Sequence, residues 1–310
     1  VLVTNEGNFD WGHGTVTYYD PQADTAFTDV FQAANGRVVG NVLQSVLMWN
    51  DRTFLVVNNS GRIEVCDRRT LKSRGAITGL ASPRYAMPVG QGRALVTDLA
   101  ADRLHIVDLD AMAVVGSIPL VGWSERMVKR KGQVWVANRR ASFDPRPGGY
   151  TLYAVDTQRL ALTDSLTNPQ GAVLGSLAMD SRERLWVAQR SGRSYGIALW
   201  DVENHRLIET VPFADSIAHI QPDAARNRML VLSRHLWAVD METRTVTRLV
   251  TADNALFYSF AIHPESGAIY VSDALNYVQR GLIRIYEPDG KAANTFQAGV
   301  IPGDFCFLRE

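Results

Sequence analysis

ALVTDLAADRLHIVDLD, residues Ala94 to Asp110, contains two short apolar runs, LVT and HIV, each closed by an acid (Asp98 and Asp108), with a polar turn between them. Enrichment in β-branched residues marks both runs as strands. The second half of this unit recurs along the chain: YYD ends at Asp20, EVCD at Asp67, YAVD at Asp156, ALWD at Asp201, WAVD at Asp240 and RIYE at Glu287. The first half recurs as well, in LVTN to Asn5, VVNN to Asn59, WVAN to Asn138, WVAQ to Gln189, LVLS to Ser233 and YVSD to Asp273. Seven units at intervals of 39 to 48 residues define a repeat architecture.

A further run precedes each pair, at Arg84–Pro88, Arg126–Lys129, Leu177–Asp180, Ala218–Gln221 and Ser259–His263, and another follows, at Val114–Ile118, Leu160–Leu166, Leu207–Val211 and Val246–Val250. Four short strands per unit predict an all-β fold, a seven-bladed β-propeller with four-stranded antiparallel blades. No sustained three-and-four spacing of apolar residues supports helices instead. The first unit, Val1 to Phe31, begins at its second strand and lacks an innermost one, while Gly303 to Glu310 supplies a lone strand, DFCFL. This C-terminal strand is expected to pair into the first blade and close the ring, removing the open edges that invite aggregation. No Pro-, Ser- or Gly-rich linker interrupts the repeats, so residues 1–310 read as one domain, with blade 1 completed by about 303–310.

Lysine plus arginine and aspartate plus glutamate both number 32, which leaves no global field for nucleic acid or an anionic membrane. No apolar stretch approaches the roughly 20 residues that span a bilayer, so no transmembrane segment is expected. Cys66 and Cys306 fall in predicted strands of different blades and read as small buried apolar residues. The six histidines occur singly, without an HExxH pair, a cysteine cluster or a GxSxG elbow. Gly148 and Gly149 follow prolines in a loop and open no helix, so no phosphate cradle is implied. The reading is non-enzymatic, with no cofactor or metal required; His13, the one histidine in a mouth loop, reads as solvated.

In a propeller the innermost strands start and the second strands end on one face, so function is sought in the loops around that mouth. The loops Glu6–Gly14, Arg139–Tyr150, Arg190–Tyr195 and Ala274–Arg280 read as insertions there, and they carry Phe9, Trp11, Phe143, Tyr195 and Tyr277. The inter-blade loops add Tyr85, Trp123 and Tyr258. Aromatics interleaved with Arg139, Arg140, Arg190, Arg193 and Arg280 suit a large, flat or amphipathic ligand. Trp135, Trp186 and Trp237 read as blade core. The strand-ending polar residues, Asn59, Asp98, Asn138 and Asp273 among them, form a ring beside Gln44, Arg84, Glu125, Ser176, Ser216, Ser259 and Asp304 at the inner-strand starts. This ring has three readings: it caps turns, it meets a polar ligand, or it holds a hard cation through Asp98, Glu125 and Asp273. Arg84 beside Asp98 speaks against the cation.

NEGNFDWGHGTVTYYDP (Asn5 to Pro21), VVNNSGRIEVCD (Val56 to Asp67), GLASPRY (Gly79 to Tyr85), ALVTDLAADRLHIVDLD and GWSERM (Gly122 to Met127) resemble the YncE-like seven-bladed propellers. Within that group the chain is similar to surface lipoproteins and surface-layer proteins of gut Gram-negative anaerobes. The resemblance extends to the BtuG-like branch, which captures cobalamin (vitamin B12) and passes it to a TonB-dependent outer-membrane transporter. It implies a corrinoid in the mouth, export to the outer-membrane cell surface as a lipoprotein (or to the periplasm), and a leader or lipid-attachment cysteine upstream of Val1. The site set is then Trp11, Phe143, Tyr195, Tyr258 and Tyr277 as apolar walls and Arg84, Asp98, Glu125, Asn138 and Asn276 as polar anchors, with Phe9, Asn59, Tyr85 and Trp123 around them. The alternatives are a metal-dependent propeller hydrolase or lactonase and a protein-interaction scaffold of the cell envelope.

Overall fold

The computed structural model of the chain describes residues 1–9, 12–139, 151–168 and 171–308. Blade 1 holds β1 (Leu2–Asn5), β2 (Thr15–Asp20) and β3 (Thr25–Phe27), and a short helix, α1 (Val30–Asn35), leads out of it. Blade 2 comprises β4 (Leu43–Trp49), β5 (Arg52–Val57), β6 (Arg62–Asp67) and β7 (Ser73–Ile77). Blade 3 comprises β8 (Pro83–Gly90), β9 (Arg93–Asp98), β10 (Arg103–Asp108) and β11 (Ala113–Pro119). Blade 4 comprises β12 (Trp123–Arg130), β13 (Gln133–Arg139), β14 (Thr151–Asp156) and β15 (Ala161–Thr167). Blade 5 comprises β16 (Val173–Met179), β17 (Leu185–Ser191), β18 (Ser194–Asp201) and β19 (Arg206–Phe213). Blade 6 comprises β20 (His219–Asp223), β21 (Arg228–Leu232), β22 (Leu236–Asp240) and β23 (Val246–Val250). Blade 7 comprises β24 (Phe257–Ile262), β25 (Ile269–Asp273), β26 (Arg280–Tyr286) and β27 (Ala292–Val300), and β28 (Pro302–Cys306) follows.

The last strand does what the incomplete first unit requires. β28 pairs antiparallel with β1, Leu2 opposite Cys306 and Val3 opposite Phe305, and gives blade 1 its innermost strand. Each inner strand touches the next, and β28 touches both β24 and β4, so the ring is closed. The helix α1 is new relative to the sequence reading, because its six residues are too few for a helical period to register. It seats Phe31 in the core at 1% exposure.

Among the described residues the buried apolar side chains fall into seven clusters, one at each blade interface. Phe54, Val56, Ile63 and Val65 of blade 2 meet Ala94, Val96 and Val107 of blade 3, while Leu55 and Val57 of the same β5 strand turn the other way, toward Leu2 and Val16 of blade 1. Middle strands are covered on both faces, which is why they read as unbroken apolar runs; outer strands such as β19 alternate exposed and half-buried residues. Trp135 and Trp186 are fully enclosed, whereas Trp237 is only half-buried and donates from Nε1 to Ser233. Cys66 and Cys306 pack in one cluster between blades 1 and 2, where burial pushes the thiols up to about 12 and about 11.

At the face opposite the mouth, the repeated acids brace the turns between third and fourth strands. The side chains of Asp20, Asp67, Asp108, Asp156 and Asp240 each accept hydrogen bonds from the amides two and three residues on. Glu287, whose side chain is one carbon longer, leaves that task to backbone bonds with Lys291 and Gly290.

Candidate functional site

The inner strands all begin at one end of the axis, and their first residues surround a cavity of about 750 Å³ that is open to solvent. Blade 1 contributes Glu6 and Gly303, and blade 2 contributes Gln44; Arg84, Tyr85 and Leu99 come from blade 3, and Trp123, Glu125 and Arg126 from blade 4. Blade 5 contributes Val173 to Ser176, Ala188 to Arg190 and Tyr195, blade 6 Ser216 to His219, and blade 7 Tyr258 and Ser259.

Consecutive residues such as Arg84 and Tyr85, or Glu125 and Arg126, both reach this cavity although a regular strand sends neighbours to opposite faces. The reason is a register shift at the mouth end of every inner strand except β20. It falls between Leu43 and Ser45 in β4, Pro83 and Ala86 in β8, Ser124 and Met127 in β12, Leu174 and Leu177 in β16, and Phe257 and Ser259 in β24. The β28–β1 pair slips between Val3 and Asn5. Such bulges re-aim side chains at the end of a ladder.

The blade 1 to 4 side of the cavity is charged. Arg84 Nε lies 3.0 Å from Glu125 Oε2, with both side chains largely covered, and Arg84 Nη1 donates to Gln44. Glu6 Oε1 accepts from the Tyr258 hydroxyl at 2.9 Å and from Gln44 Nε2 at 3.3 Å. Burial raises the Glu6 carboxyl above its ordinary pKa, although the Arg84 charge and these two hydrogen bonds act to lower it. The Arg126 guanidinium sits 4.5 Å from the centre of the Tyr85 ring and 3.8 Å from Asp304 Oδ1. Burial raises the Asp304 carboxyl as well, against Arg126 and the Val46 amide. The blade 5 and 6 side is built largely of small uncharged residues, Gly175, Ser176, Ala188, Ser216 and Ala218, with Arg190 as its one arginine.

Of the residues expected at the site, Arg84, Tyr85, Trp123, Glu125, Tyr195 and Tyr258 line the cavity. Tyr277 stands at its rim, edge-on to Tyr258 with ring centres 6.1 Å apart, and Asn8 Nδ2 donates to its carbonyl. Phe9 is 61% exposed and lies off the cavity lining. Trp11 and Phe143 lie outside the described residues, as does most of the expected insertion 139–150.

Four polar candidates, Asn59, Asp98, Asn138 and Asn276, lie off the cavity lining. Asn59 is exposed and donates to Asn41; the strand-ending position belongs to buried Asn58, which donates to Ser82 and the Pro83 carbonyl. Asp98 is fully buried, and Oδ1 and Oδ2 accept from the amides of Ala81, Ser82 and Ala100, with His105 Nε2 at 3.2 Å. These bonds outweigh burial and hold its pKa below the usual value. Asn138 lies beneath the turn at Gly122, whose φ of 79° suits glycine and where a Cβ would come within 2.8 Å of Asn138 Nδ2. Asn276 Oδ1 accepts from the amides of Val278 and Gln279 and shapes its own loop.

The turn-capping reading of the polar ring therefore holds for Asp98 and also for Asp273, which accepts from Leu256, Leu275 and Arg284. Asp98, Glu125 and Asp273 are engaged with different partners and do not form one ligand set; Arg84 pairs with Glu125, not Asp98. Arg190–Tyr195 is no insertion: Arg190 pairs with Tyr195 and Ser191 with Ser194 around a two-residue turn at Gly192, φ 59°. Glu6, Arg126 and His219 are cavity residues that sequence reasoning passes over: Glu6 follows a strand end, His219 opens β20, and no local pattern announces the bulge that turns Arg126 inward. His13, by contrast, is exposed.

Fold and cavity together define a seven-bladed β-propeller with an open, mixed-charge funnel at one end of its axis. The chain belongs to the family described as domain of unknown function DUF5074, whose model matches residues 1–207. No curated protein matches it. Among solved structures it is similar to a quinonprotein alcohol dehydrogenase-like protein of Bacteroides thetaiotaomicron, at 14% identity and TM-score 0.70 over 97% of this chain and 76% of that one. It is also similar to hydrazine synthase of Kuenenia stuttgartiensis, at 13% identity and TM-score 0.68 over 84% and 88%. A computationally designed protein, Ika8, matches at 9% identity and TM-score 0.65 over 99% and 91%. At these identities the likeness carries the fold alone. Among the described residues no helix is long and apolar enough to cross a membrane.

Proposed function

We propose that this chain is a non-catalytic binding protein of the outer-membrane cell surface, anchored as a lipoprotein, whose funnel captures a corrinoid of the cobalamin type for a TonB-dependent transporter. The observation that supports this reading is the cavity itself: about 750 Å³, open at one end, with Tyr85, Trp123, Tyr195 and Tyr258 among donors and acceptors of both signs. A corrinoid is large and nearly flat, and its fringe of amides presents donors and acceptors together. Rings of tyrosine and tryptophan offer broad contact at low entropic cost, while Gln44, Gln189 and the serines of blades 5 to 7 match amides. The resemblance to YncE-like and BtuG-like propellers supplies the ligand class, and the funnel supplies a place of suitable chemistry.

Gel filtration after exposure to cyanocobalamin tests the reading. The corrin absorption band is expected to travel with the protein and to diminish for Tyr85→Ala and Tyr195→Ala. Protein free of corrin absorbance across several corrinoids overturns the ligand, and turnover of a lactone or ester overturns the non-catalytic part.

A further inference from the structure

Two partly buried arginines, Arg84 and Arg126, reach the funnel and differ in what they touch. Arg84 is occupied by Glu125 and Gln44. Arg126 is not: among the described residues its guanidinium makes no hydrogen bond, and its contacts are the Tyr85 ring and Asp304 at 3.8 Å, beyond hydrogen-bond reach. Asp304 is a distant counter-ion: Oδ1 stands 3.8 Å from the guanidinium, and Oδ2 is taken up by the Val46 amide. A guanidinium in a cavity with its donors unspent is a binding group looking for oxygen acceptors.

A second observation lies two blades away on the same cavity. His219 lines the funnel against Phe260, ring centres 5.0 Å apart, and its Nδ1 is buried with no hydrogen-bond partner among the described residues. Burial, then the Arg126 charge, lowers its pKa well below the usual value, so the ring is neutral and offers one N–H. Between the two, Ser176 Oγ accepts from the Ile220 amide, which leaves its hydroxyl hydrogen to spend, and Ser216 is exposed beside it.

We propose that the blade 4 to blade 6 side of the funnel, Arg126 with His219, is a subsite for a small carboxylate. One loosely countered guanidinium has room for a single negative charge, and two coplanar oxygens match its fork. A phosphomonoester, carrying about −1.5 to −2 at neutral pH, asks for more charge than Arg126 alone supplies, and Arg190 on the blade between is exposed to solvent. The inference rests on the funnel being a ligand site; a cobalamin has amides and a phosphodiester but no free carboxylate, so the carboxylate bound here belongs to a different molecule from the corrinoid.

Equilibrium dialysis of the full chain against labelled benzoate, its neutral isostere benzamide, and inorganic phosphate tests it. Benzoate is expected to bind at least about tenfold tighter than benzamide, the usual worth of a charge-assisted hydrogen bond. Arg126→Gln brings benzoate down to the benzamide level, and Arg126→Lys, which keeps the charge without the fork, restores only part. Thermal melts of each variant show whether it is folded; should Arg126→Gln not fold, His219→Phe, which keeps the ring on Phe260, is expected to weaken benzoate several-fold. Benzamide equal to benzoate, benzoate unchanged in a folded Arg126→Gln variant or, where that variant does not fold, in His219→Phe, or phosphate tighter than benzoate each overturns the subsite. If Arg126→Gln binds cyanocobalamin like wild type while benzoate shows no preference, the subsite falls and the funnel reading stands.

Discussion

The two ends of the seven inner strands are built on different rules. At the face opposite the mouth, one device recurs: an aspartate at the end of the third strand accepts amides two and three residues on, in Asp20, Asp67, Asp108, Asp156 and Asp240 alike. At the mouth no two blades present the same residues, and buried charges of both signs stand around an open cavity. The difference teaches where this repeat protein keeps its scaffold and where it keeps its freedom. Turns that share one solution serve stability, whereas positions released from the repeat by a bulge are available to a ligand.

The largest expected effect of breaking this contrast is at the Arg84–Glu125 pair. Arg84→Ala removes the guanidinium from a covered carboxylate and is expected to cost about 3 kcal/mol in denaturant unfolding. The double variant Arg84→Met with Glu125→Leu should recover most of that loss, because no lone charge remains. A double variant as unstable as the single one would mean that the pair stabilises the fold in its own right.

A smaller effect, opposite in sign at the two ends, is expected from acid. Asp67, Asp156 and Asp240 have depressed carboxyl pKa values, first through backbone hydrogen bonds. Their contribution is full above the unfolded value of about 4 and is lost as pH falls through the folded values. Glu6 and Asp304 have raised values, so the folded state binds their protons more tightly than the unfolded chain does. Their ionisation costs stability as pH rises through the window between unfolded and folded values, and that cost is present at neutral pH. Glu6→Gln should therefore raise the melting temperature at pH 7 and lose this advantage near about pH 4, where Glu6 itself is protonated. Asp240→Asn should lower the melting temperature at pH 7, with the deficit shrinking in stronger acid. Shifts of the same sign for both variants would erase the distinction between the two ends.

The same contrast explains what could be read in advance. Strand existence, blade number and ring closure follow from apolar runs and from a first unit that lacks one strand, so β28 pairing with β1 was legible from Val1 and DFCFL. The aspartates opposite the mouth were legible as turn braces because their bonds are local. The mouth was legible as a place but only partly as a list. Tyr85, Trp123 and Tyr195 are large enough to be noticed, while Arg126 and His219 sit in ordinary strand text, and only the bulge in β12 and the start of β20 bring them to the axis. Asn59 was mistaken for its neighbour Asn58 because a one-residue shift at a strand end exchanges the buried and exposed faces. Asp98 and Asn138 read as anchors in the sequence because strand-ending polar residues look the same whether they face a ligand or hold the next loop.

Titration calorimetry with cyanocobalamin on three proteins tests the central claim most directly: wild type, Ala218→Trp, which places a bulky ring at an exposed position of the funnel wall, and Asp108→Asn, which alters a turn on the face opposite the mouth. The account predicts binding heat for wild type and for Asp108→Asn, and its loss in a folded Ala218→Trp protein. Equal heat in all three would contradict a ligand in the funnel, and no heat in any would contradict the corrinoid.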